Sequence, residues 1–133
     1  DKTSSEAELL AMLRRECLKR GKPYGLWVRK LKRFAQHQSG SGQDSIRIIP
    51  GLLYLVEAKT GALTLVRDLD VVGTPLVMMS HILGAGDDAR ALNHMAGAPV
   101  SVIAPSLLLA EAELQRSETK PENLPLLPPP PKE

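Results

Sequence analysis

The fold is decided by residues 46–66, which read IRIIPGLLYLVE (46–57), AKTG (58–61), Ala62 and LTLV (63–66). The first segment is dominated by Ile, Leu, Tyr and Val, and it therefore predicts a strand from Ile46 to Glu57. Pro50 and Gly51 interrupt this segment, which predicts either an edge strand or a bulge. The AKTG segment predicts a tight turn whose glycine adopts a positive φ, and the LTLV segment then returns antiparallel. A β-hairpin is the expected result.

An amphipathic helix is predicted upstream, from about Glu6 to Arg20. Ser5 and Glu8 have the spacing of a capping box, in which each side chain accepts a hydrogen bond from the backbone N–H of the other. Gly21 is typical of a helix C-terminus because glycine readily adopts the left-handed conformation. One apolar stripe runs between these signals at helical spacing and comprises Leu9, Leu10, Leu13 and Cys17.

Two segments connect this helix to the hairpin. Tyr24 to Phe34 mixes apolar side chains with Arg and Lys and predicts a strand. Gln36 to Ser45 is polar and rich in Gly and Ser, and it predicts a loop.

The second half of the chain predicts shorter elements. Thr74 and Pro75 are typical of a helix N-cap and first helical residue. We therefore predict a short helix to about Leu83, with Leu76, Met79 and Leu83 facing inward; a strand is the alternative, because Val72 and Val77 favour one.

Further along, Gly84 to Asp88 predicts a turn, and Val100 to Leu114 predicts one or two strands broken at Pro105. Residues 117–133 contain six prolines and few large apolar side chains, so they predict a flexible tail. The predicted fold class is therefore α+β, mainly antiparallel sheet with an N-terminal amphipathic helix and one short internal helix. Residues 1–116 are predicted to form a single domain.

Composition narrows the class of protein. The chain has 133 residues, which suits one domain, and its four aromatic residues leave the core to be built from aliphatic side chains. No apolar run approaches the roughly 18 residues of a transmembrane helix. Cys17 is the only cysteine, so no internal disulfide can form and a reducing, cytoplasmic location is expected.

Charge is distributed unevenly along the chain. Residues 1–34 carry ten Lys and Arg against four Asp and Glu, although the net charge of the whole chain is only +2. One interpretation is a solvated helix face followed by an edge strand protected by cations. The other is a binding surface for nucleic acid or an acidic protein, formed by Arg29, Lys30, Lys32 and Arg33 with Arg14, Arg15, Lys19 and Arg20. A pI near 8.8 disfavours nucleic acid, whose binding domains typically have a pI above about 9.

No constellation of side chains predicts catalysis. His37, His81 and His94 share no metal-ligand spacing, and a zinc site needs three or four convergent ligands. Asp87-Asp88 and Glu111-x-Glu113 are predicted to have surface roles. The Gly-rich segments lack the lysine of a phosphate loop, and no serine lies in a nucleophile elbow. We therefore predict no catalytic residue and no metal site in this chain by itself.

Three segments, VVGTPLV (71–77), GAGDD (84–88) and PVSVIAPSLLL (99–109), follow one another in an informative order. Their order and spacing resemble the C-terminal region of the TldD/PmbA family of metallopeptidases, also described as modulators of DNA gyrase. A weaker similarity is present in YGLWVRKL (24–31) and around the hairpin, at 60–61 and 66–67. The resemblance covers most of the chain outside the tail.

This resemblance implies a parent protein that is a zinc-dependent hydrolase acting in proteolysis. The family's His-Glu-x-x-x-His helix lies upstream of this region and is absent here. Some members add a Cys shortly before the Pro-Val strand; Met95 lies at the matching place here, and the adjacent His94 is the alternative ligand. A thioether is a poor zinc ligand, so no catalytic residue carries over. Either the chain is of a non-catalytic partner type, or the full-length protein uses another ligand set.

The resemblance also implies a β-barrel-like or β-sandwich domain that closes over a peptide cleft shared with an upstream domain. The first functional hypothesis is thus a C-terminal domain, inactive alone, that packs against the upstream domain and a homologous subunit and helps to place a peptide. Its exposed hairpin edge could accept a peptide strand. The second hypothesis, from a different class, is the basic binding module described above.

Overall fold

The computed structural model describes residues 3–38, 44–95 and 99–117. Two helices lie within them, α1 (Glu6–Lys19) and α2 (Pro75–Ser80). The strands are β1 (Tyr24–Gln38), β2 (Asp44–Glu57), β3 (Leu63–Val66), β4 (Leu69–Gly73), β5 (Ile82–Ala85), β6 (Arg90–Met95), β7 (Pro99–Ala104), β8 (Leu107–Leu109) and β9 (Glu113–Arg116). The predicted α+β class, with an N-terminal helix and a short internal helix, is confirmed. The proline-rich tail beyond Ser117 lies outside the described residues.

The strands pair antiparallel and form three sheets. The main sheet has the order β1-β2-β4-β9, and β3 pairs with β2 at the same side as β4. Two separate two-stranded sheets are formed by β5 with β8 and by β6 with β7. The barrel-like alternative is wrong, because β1 and β9 do not pair and are left as the two edges of the main sheet in the described residues.

Helix α1 begins and ends where the sequence predicts. The Ser5 backbone N–H donates to Glu8 Oε2 at 2.7 Å, and the Glu8 backbone N–H donates to Ser5 Oγ at 3.4 Å, which completes the capping box. Gly21 has a φ of 64°, the left-handed conformation expected after a helix. Cys17, in the predicted apolar stripe, is buried, and burial raises the pKa of its thiol.

Helix α1 packs closely on both the main sheet and the hairpin turn. Gly25 lies directly against Leu13, such that a Cβ atom at Gly25 would be 2.7 Å from Leu13 Cγ. At the next position of the helix, Arg14 donates from Nε to the Ala58 carbonyl oxygen at 3.2 Å and from Nη2 to that of Lys59 at 2.6 Å. The helix therefore holds the turn that joins β2 to β3.

Substitution of Gly25 tests this close approach. Because Cγ and both Cδ carbons of Leu13 lie within 2.9 Å of the added Cβ position, we expect Gly25→Ala to lower the free energy of unfolding by about 1–3 kcal/mol through overpacking. Urea denaturation followed by circular dichroism measures the change. Gly51→Ala is the matched control, because its nearest contact is an ordinary 3.5 Å. Equal stability of the Gly25 and Gly51 variants would contradict the packing described here.

The β1–β2 hairpin is longer than the sequence predicts. Strand pairing continues to Gln38 opposite Asp44, so much of the predicted loop from Gln36 to Ser45 is strand. The composition is polar there, but Ile46 is buried on β2 and fixes the register that brings Gln36 opposite it. The remaining residues of the predicted loop, 39–43, lie outside the described residues.

The interruption at Pro50 and Gly51 is a bulge, which was one of the two alternatives that the sequence predicts. The register between β1 and β2 shifts three times between Val28 and Arg33, opposite Pro50. The edge-strand alternative is wrong, because β2 lies between β1 and the β3/β4 side of the main sheet. Proline is tolerated in this central strand because residues 49–52 pair only with β1.

The core combines buried side chains of α1, β2, the β2–β3 turn, β4 and β8. Its buried apolar side chains belong to Cys17, Ile46, Leu53, Val56, Ala58, Val71 and Leu108. One charged residue is buried with them: Asp70 is 1% exposed and accepts a hydrogen bond from Arg47 Nε at 2.7 Å. The predicted turn at the end of β2 is confirmed, and Gly61 has a φ of 81°.

The predicted orientation of the internal helix is wrong. Helix α2 begins at Pro75 as expected but ends at Ser80, and Leu76, Met79 and Leu83 are exposed rather than inward. The inward residue is Met78, whose Cγ and Sδ lie 3.3 Å from the position of a Cβ on Gly73. A helix of six residues presents little more than one side chain to the sheet, so helical periodicity does not identify its buried face.

The strands that follow differ from their predicted bounds. The predicted turn from Gly84 to Asp88 is displaced, because pairing with β8 draws Gly84 into β5. The break at Pro105 is confirmed. The predicted strand to Leu114 is interrupted again after Leu109, so Glu111 and Glu113 do not share one strand face. No described helix is both long enough and apolar enough to cross a membrane.

Candidate binding surfaces

The four predicted binding cations lie together on β1, which is an edge strand of the main sheet. They are exposed, and they are Arg29, Lys30, Lys32 and Arg33. The Arg29 guanidinium lies 5.4 Å from the centre of the Trp27 ring, and Trp27 packs against Tyr54 at 5.8 Å between ring centres. Arg29 is therefore held by a cation–π contact on an aromatic pair.

The helix cations predicted to share this surface have other partners. Arg14 binds the β2–β3 turn, and Lys19 and Arg20 both pair with Glu16, at 3.9 Å and 2.6 Å. The hydrogen bond from Arg20 lowers the pKa of Glu16. Within the described residues, Arg15 is the one of these four that makes no hydrogen bond or ion pair. Three of the helix cations are therefore engaged by other groups, whereas the four cations of β1 lie together on one strand.

A chain of charged groups connects the end of α1 to the end of α2. Arg20 Nη1 lies 3.6 Å from Glu111 Oε2, and Glu111 Oε1 lies 3.6 Å from His81 Nε2. His81 is the half-buried C-cap of α2. Glu111 and His81 therefore contact each other at the protein surface.

Asp88 closes the loop between β5 and β6 against the β7–β8 connection. Its Oδ1 accepts from the Ser106 backbone N–H at 2.8 Å, and its Oδ2 accepts from Ser106 Oγ at 2.6 Å. The Ser106 hydroxyl, followed by the backbone N–H, lowers the pKa of Asp88. The role is structural, as expected for a surface carboxylate.

The Ser106 hydroxyl is expected to control the titration of Asp88. Because the folded pKa lies below the unfolded value, Asp88 stabilises the fold above the unfolded pKa, and this contribution is lost as pH falls through the folded pKa. We expect Ser106→Ala to raise the pKa of Asp88 toward its ordinary value, measured by NMR titration of its carboxyl carbon. Ser80→Ala is the control, because that hydroxyl donates to the Val77 carbonyl oxygen. An unchanged Asp88 midpoint in Ser106→Ala would refute this assignment.

The weak metal-ligand candidates from the sequence lie at the end of β6. His94 and Met95 pair through their backbone positions with Val100 and Pro99 on β7. Residues 96–98, which follow Met95, lie outside the described residues. Within the described residues, no group of three or more His, Cys, Asp or Glu side chains is arranged to hold a metal ion.

Exposed apolar side chains are concentrated in the second half of the chain. One set occupies α2 and β5 and comprises Leu76, Val77, Met79, Ile82 and Leu83. Leu76 is 81% exposed. A second set occupies β7 and comprises Val100, Val102 and Ile103, the last of which is 73% exposed. These are two separate sets of exposed side chains, and we call the eight residues together the apolar surface. Sequence periodicity missed it, because it placed Leu76, Met79 and Leu83 in the core.

The β6–β7 hairpin contributes to this surface from both of its faces. It forms a sheet of only two strands, and all six residues of β7 are exposed. Val100 and Val102 alternate onto one face, and Ile103 lies on the other. Strand β7 therefore exposes apolar side chains on both faces of the hairpin.

A cleft of about 390 Å³ opens in the main sheet beside the cationic strand. It lies between β2 and the β3–β4 connection, and its lining includes Lys32, Pro50, Leu52, Arg67 and Asp68. Only Lys32 belongs to the predicted binding residues. For the other lining residues, the sequence signal is the polar pair Arg67-Asp68, which interrupts an apolar segment between β3 and β4.

Comparison with protein-family models, curated proteins and solved structures finds no match to this chain.

Proposed function

We propose that this chain is a non-catalytic packing domain that binds a homologous subunit through its apolar surface. The observation that carries the proposal is the β6–β7 hairpin, whose apolar side chains are exposed on both faces. An isolated two-stranded hairpin is marginally stable in water, so these two strands need a protein surface to cover them.

The composition of the apolar surface supports the same role. Monomeric proteins expose single apolar residues commonly, but clusters of large ones mark interaction sites. Here five such residues follow one another closely along α2 and β5. By contrast, the exposed residues of β1, an edge strand of the main sheet, are mostly Arg and Lys. The apolar surface therefore differs in character from the exposed part of β1.

The resemblance of the sequence to the TldD/PmbA family suggests which larger protein such a domain would belong to. We propose that the chain corresponds to the C-terminal region of a TldD/PmbA-like peptidase, whose zinc and catalytic residues belong to other parts of the parent protein. In that setting the domain packs against an upstream domain and a second subunit and forms one wall of a peptide cleft.

Sedimentation velocity over a range of protein concentrations tests the packing role. We expect the chain to self-associate, and Ile103→Asp to weaken association by at least about tenfold, because it places a charge in a desolvated interface. Thr64→Asp adds the same charge at an exposed position of β3 and is the matched control. A chain that stays monomeric at high concentration, with or without Ile103→Asp, would exclude a second copy of this chain as the homologous subunit.

A second candidate function is supported by the cation cluster on β1. An edge strand has unpaired backbone groups on its outer side, and here four exposed cations, including the stacked Arg29, accompany them. An acidic protein segment is the partner that this chemistry fits. Fluorescence anisotropy with a poly-glutamate peptide should show binding that weakens with salt and is reduced by Lys30→Gln and Arg33→Gln but not by Arg15→Gln. Equal loss in all three variants would indicate non-specific attraction.

A further inference from the structure

The cleft in the main sheet is an opened section of one continuous ladder. Leu53 pairs with Val66 on β3, and Ile48 pairs with Val71 on β4, so both strands follow β2 in the same register. Between these pairs lie residues 49–52 on β2 and residues 67–70 on the other chain segment, four on each side, and they do not pair with one another. The ladder is closed at both ends of the opening.

The opening has identifiable causes in the sequence. Pro50 has no backbone N–H to donate. Across from it, Asp68 has a φ of 61°, which turns the chain out of the extended conformation, and its carbonyl oxygen accepts from the Ser117 N–H at 2.8 Å. Leu69 and Asp70 then pair with β9. A left-handed conformation at a residue other than glycine is a strained feature that is concentrated at functional sites.

The lining of the cleft combines two cations with an apolar wall. Lys32, like Arg29, has no Cα partner at the bulge of β1, and its Cβ lies beside Gly51. Arg67 is supplied from the other side of the opening. Neither makes an ion pair within the part of the chain that the structure describes. Leu52 and Leu65 provide apolar surface between them.

Negative charge in the lining limits which anions fit. Asp70 is part of the lining, but its charge is balanced by Arg47 at 2.7 Å. Asp68 is exposed and keeps one negative charge near the two cations. The local balance is therefore close to one net positive charge, which suits a monoanion better than a phosphate dianion. A cleft of about 390 Å³ falls in the range of small-molecule sites.

We propose that this cleft binds a small organic carboxylate with an apolar body. The carboxylate pairs with Arg67 and Lys32, and the apolar body contacts Leu52 and Leu65. An added peptide strand does not fit, because the paired residues at both ends of the opening leave no path for a chain to continue through it.

NMR titration of the whole chain with 4-methylpentanoate tests the proposal. We expect saturable shifts at the amides of Gly51, Leu52, Arg67 and Asp68, with a Kd of about 1 mM. The uncharged 4-methylpentanamide should bind about tenfold more weakly, because a charge-assisted pair is lost. Absence of saturation in the millimolar range, or equal affinity for the acid and the amide, would overturn the proposal.

Variants assign the binding to the two cations. Arg67→Gln should weaken 4-methylpentanoate binding about tenfold, and Lys32→Gln is an independent second variant in case the first disturbs the β3–β4 connection. Arg15→Gln removes an exposed cation of α1 outside the cleft and is the control. Loss of affinity only in the two cleft variants supports the site, and an equal loss in the Arg15 variant contradicts it. Ile103→Asp should leave this affinity unchanged, which separates the cleft from subunit packing.

Discussion

Arg47→Met is expected to lower the free energy of unfolding by about 3–5 kcal/mol. The reason is the position of its partner: Asp70 is 1% exposed and loses the guanidinium that lies 2.7 Å from its carboxylate. A buried carboxylate without a partner has neither water nor a counter-charge, and the cost falls on the folded state alone. Chemical denaturation monitored by circular dichroism measures the loss.

The opposite substitution is expected to cost less. In Asp70→Val the remaining charge belongs to Arg47, whose side chain is 29% exposed and can reach water. The double variant Arg47→Met/Asp70→Val should be more stable than Arg47→Met, because it leaves no buried charge. If Arg47→Met lowers the free energy of unfolding no more than Asp70→Val does, the unpaired buried carboxylate is not the cause of the predicted loss.

Leu53→Ala is expected to cost about 2–5 kcal/mol of unfolding free energy. Leu53 is 2% exposed and lies on β2 between its pairing partners Val28 and Val66, so truncation leaves a cavity in the middle of the main sheet. Denaturant unfolding with an unchanged m-value is the measurement that identifies a pure loss of stability.

The neighbouring leucine is the matched control for this prediction. Leu52 has the same chemistry and lies in the same strand, but it is 37% exposed at the cleft. Leu52→Ala should therefore cost well under half as much as Leu53→Ala. Similar losses in the two variants would mean that the core does not lie on the Leu53 side of β2.

Local signals in the sequence were sufficient for the elements that they fix by themselves. The capping box of Ser5 and Glu8, the left-handed Gly21 and the turn at Gly61 each depend on a few neighbouring residues, and all three are confirmed. The extent of β1 and β2 was underestimated, because a polar segment is held in a strand by pairing across the hairpin. Composition carries no record of that pairing.

The orientation of short elements required the tertiary structure. Six residues of α2 give too few turns for periodicity to separate the inward Met78 from the exposed Leu76 and Met79. In β7 the structure exposes all six residues, which the sequence does not specify. The apolar surface was therefore not recognised from the pattern of the chain, which placed Leu76, Met79 and Leu83 in the core.

One of the two candidate binding sites was predicted from the sequence and the other was not. The cations of β1 were predicted, because an exposed run of Arg and Lys is visible in the sequence. The cleft was not predicted, since it arises between Pro50 on β2 and Asp68 in the β3–β4 connection, 18 residues further along the chain. A site formed by an opened ladder is defined by strand register, and register is fixed only when the strands have paired.

The most direct test of the packing role is hydrogen exchange of the β6–β7 hairpin at low and high protein concentration. Exchange reports the free energy of local opening, so an uncovered hairpin exchanges fast and a covered one slowly. We expect the amides of residues 90–95 and 100–104 to exchange rapidly in dilute protein and to become protected as the chain associates, while β2 stays protected throughout. Protection of the hairpin that is equally strong in dilute monomer and in concentrated protein would contradict the proposal that a second subunit covers it.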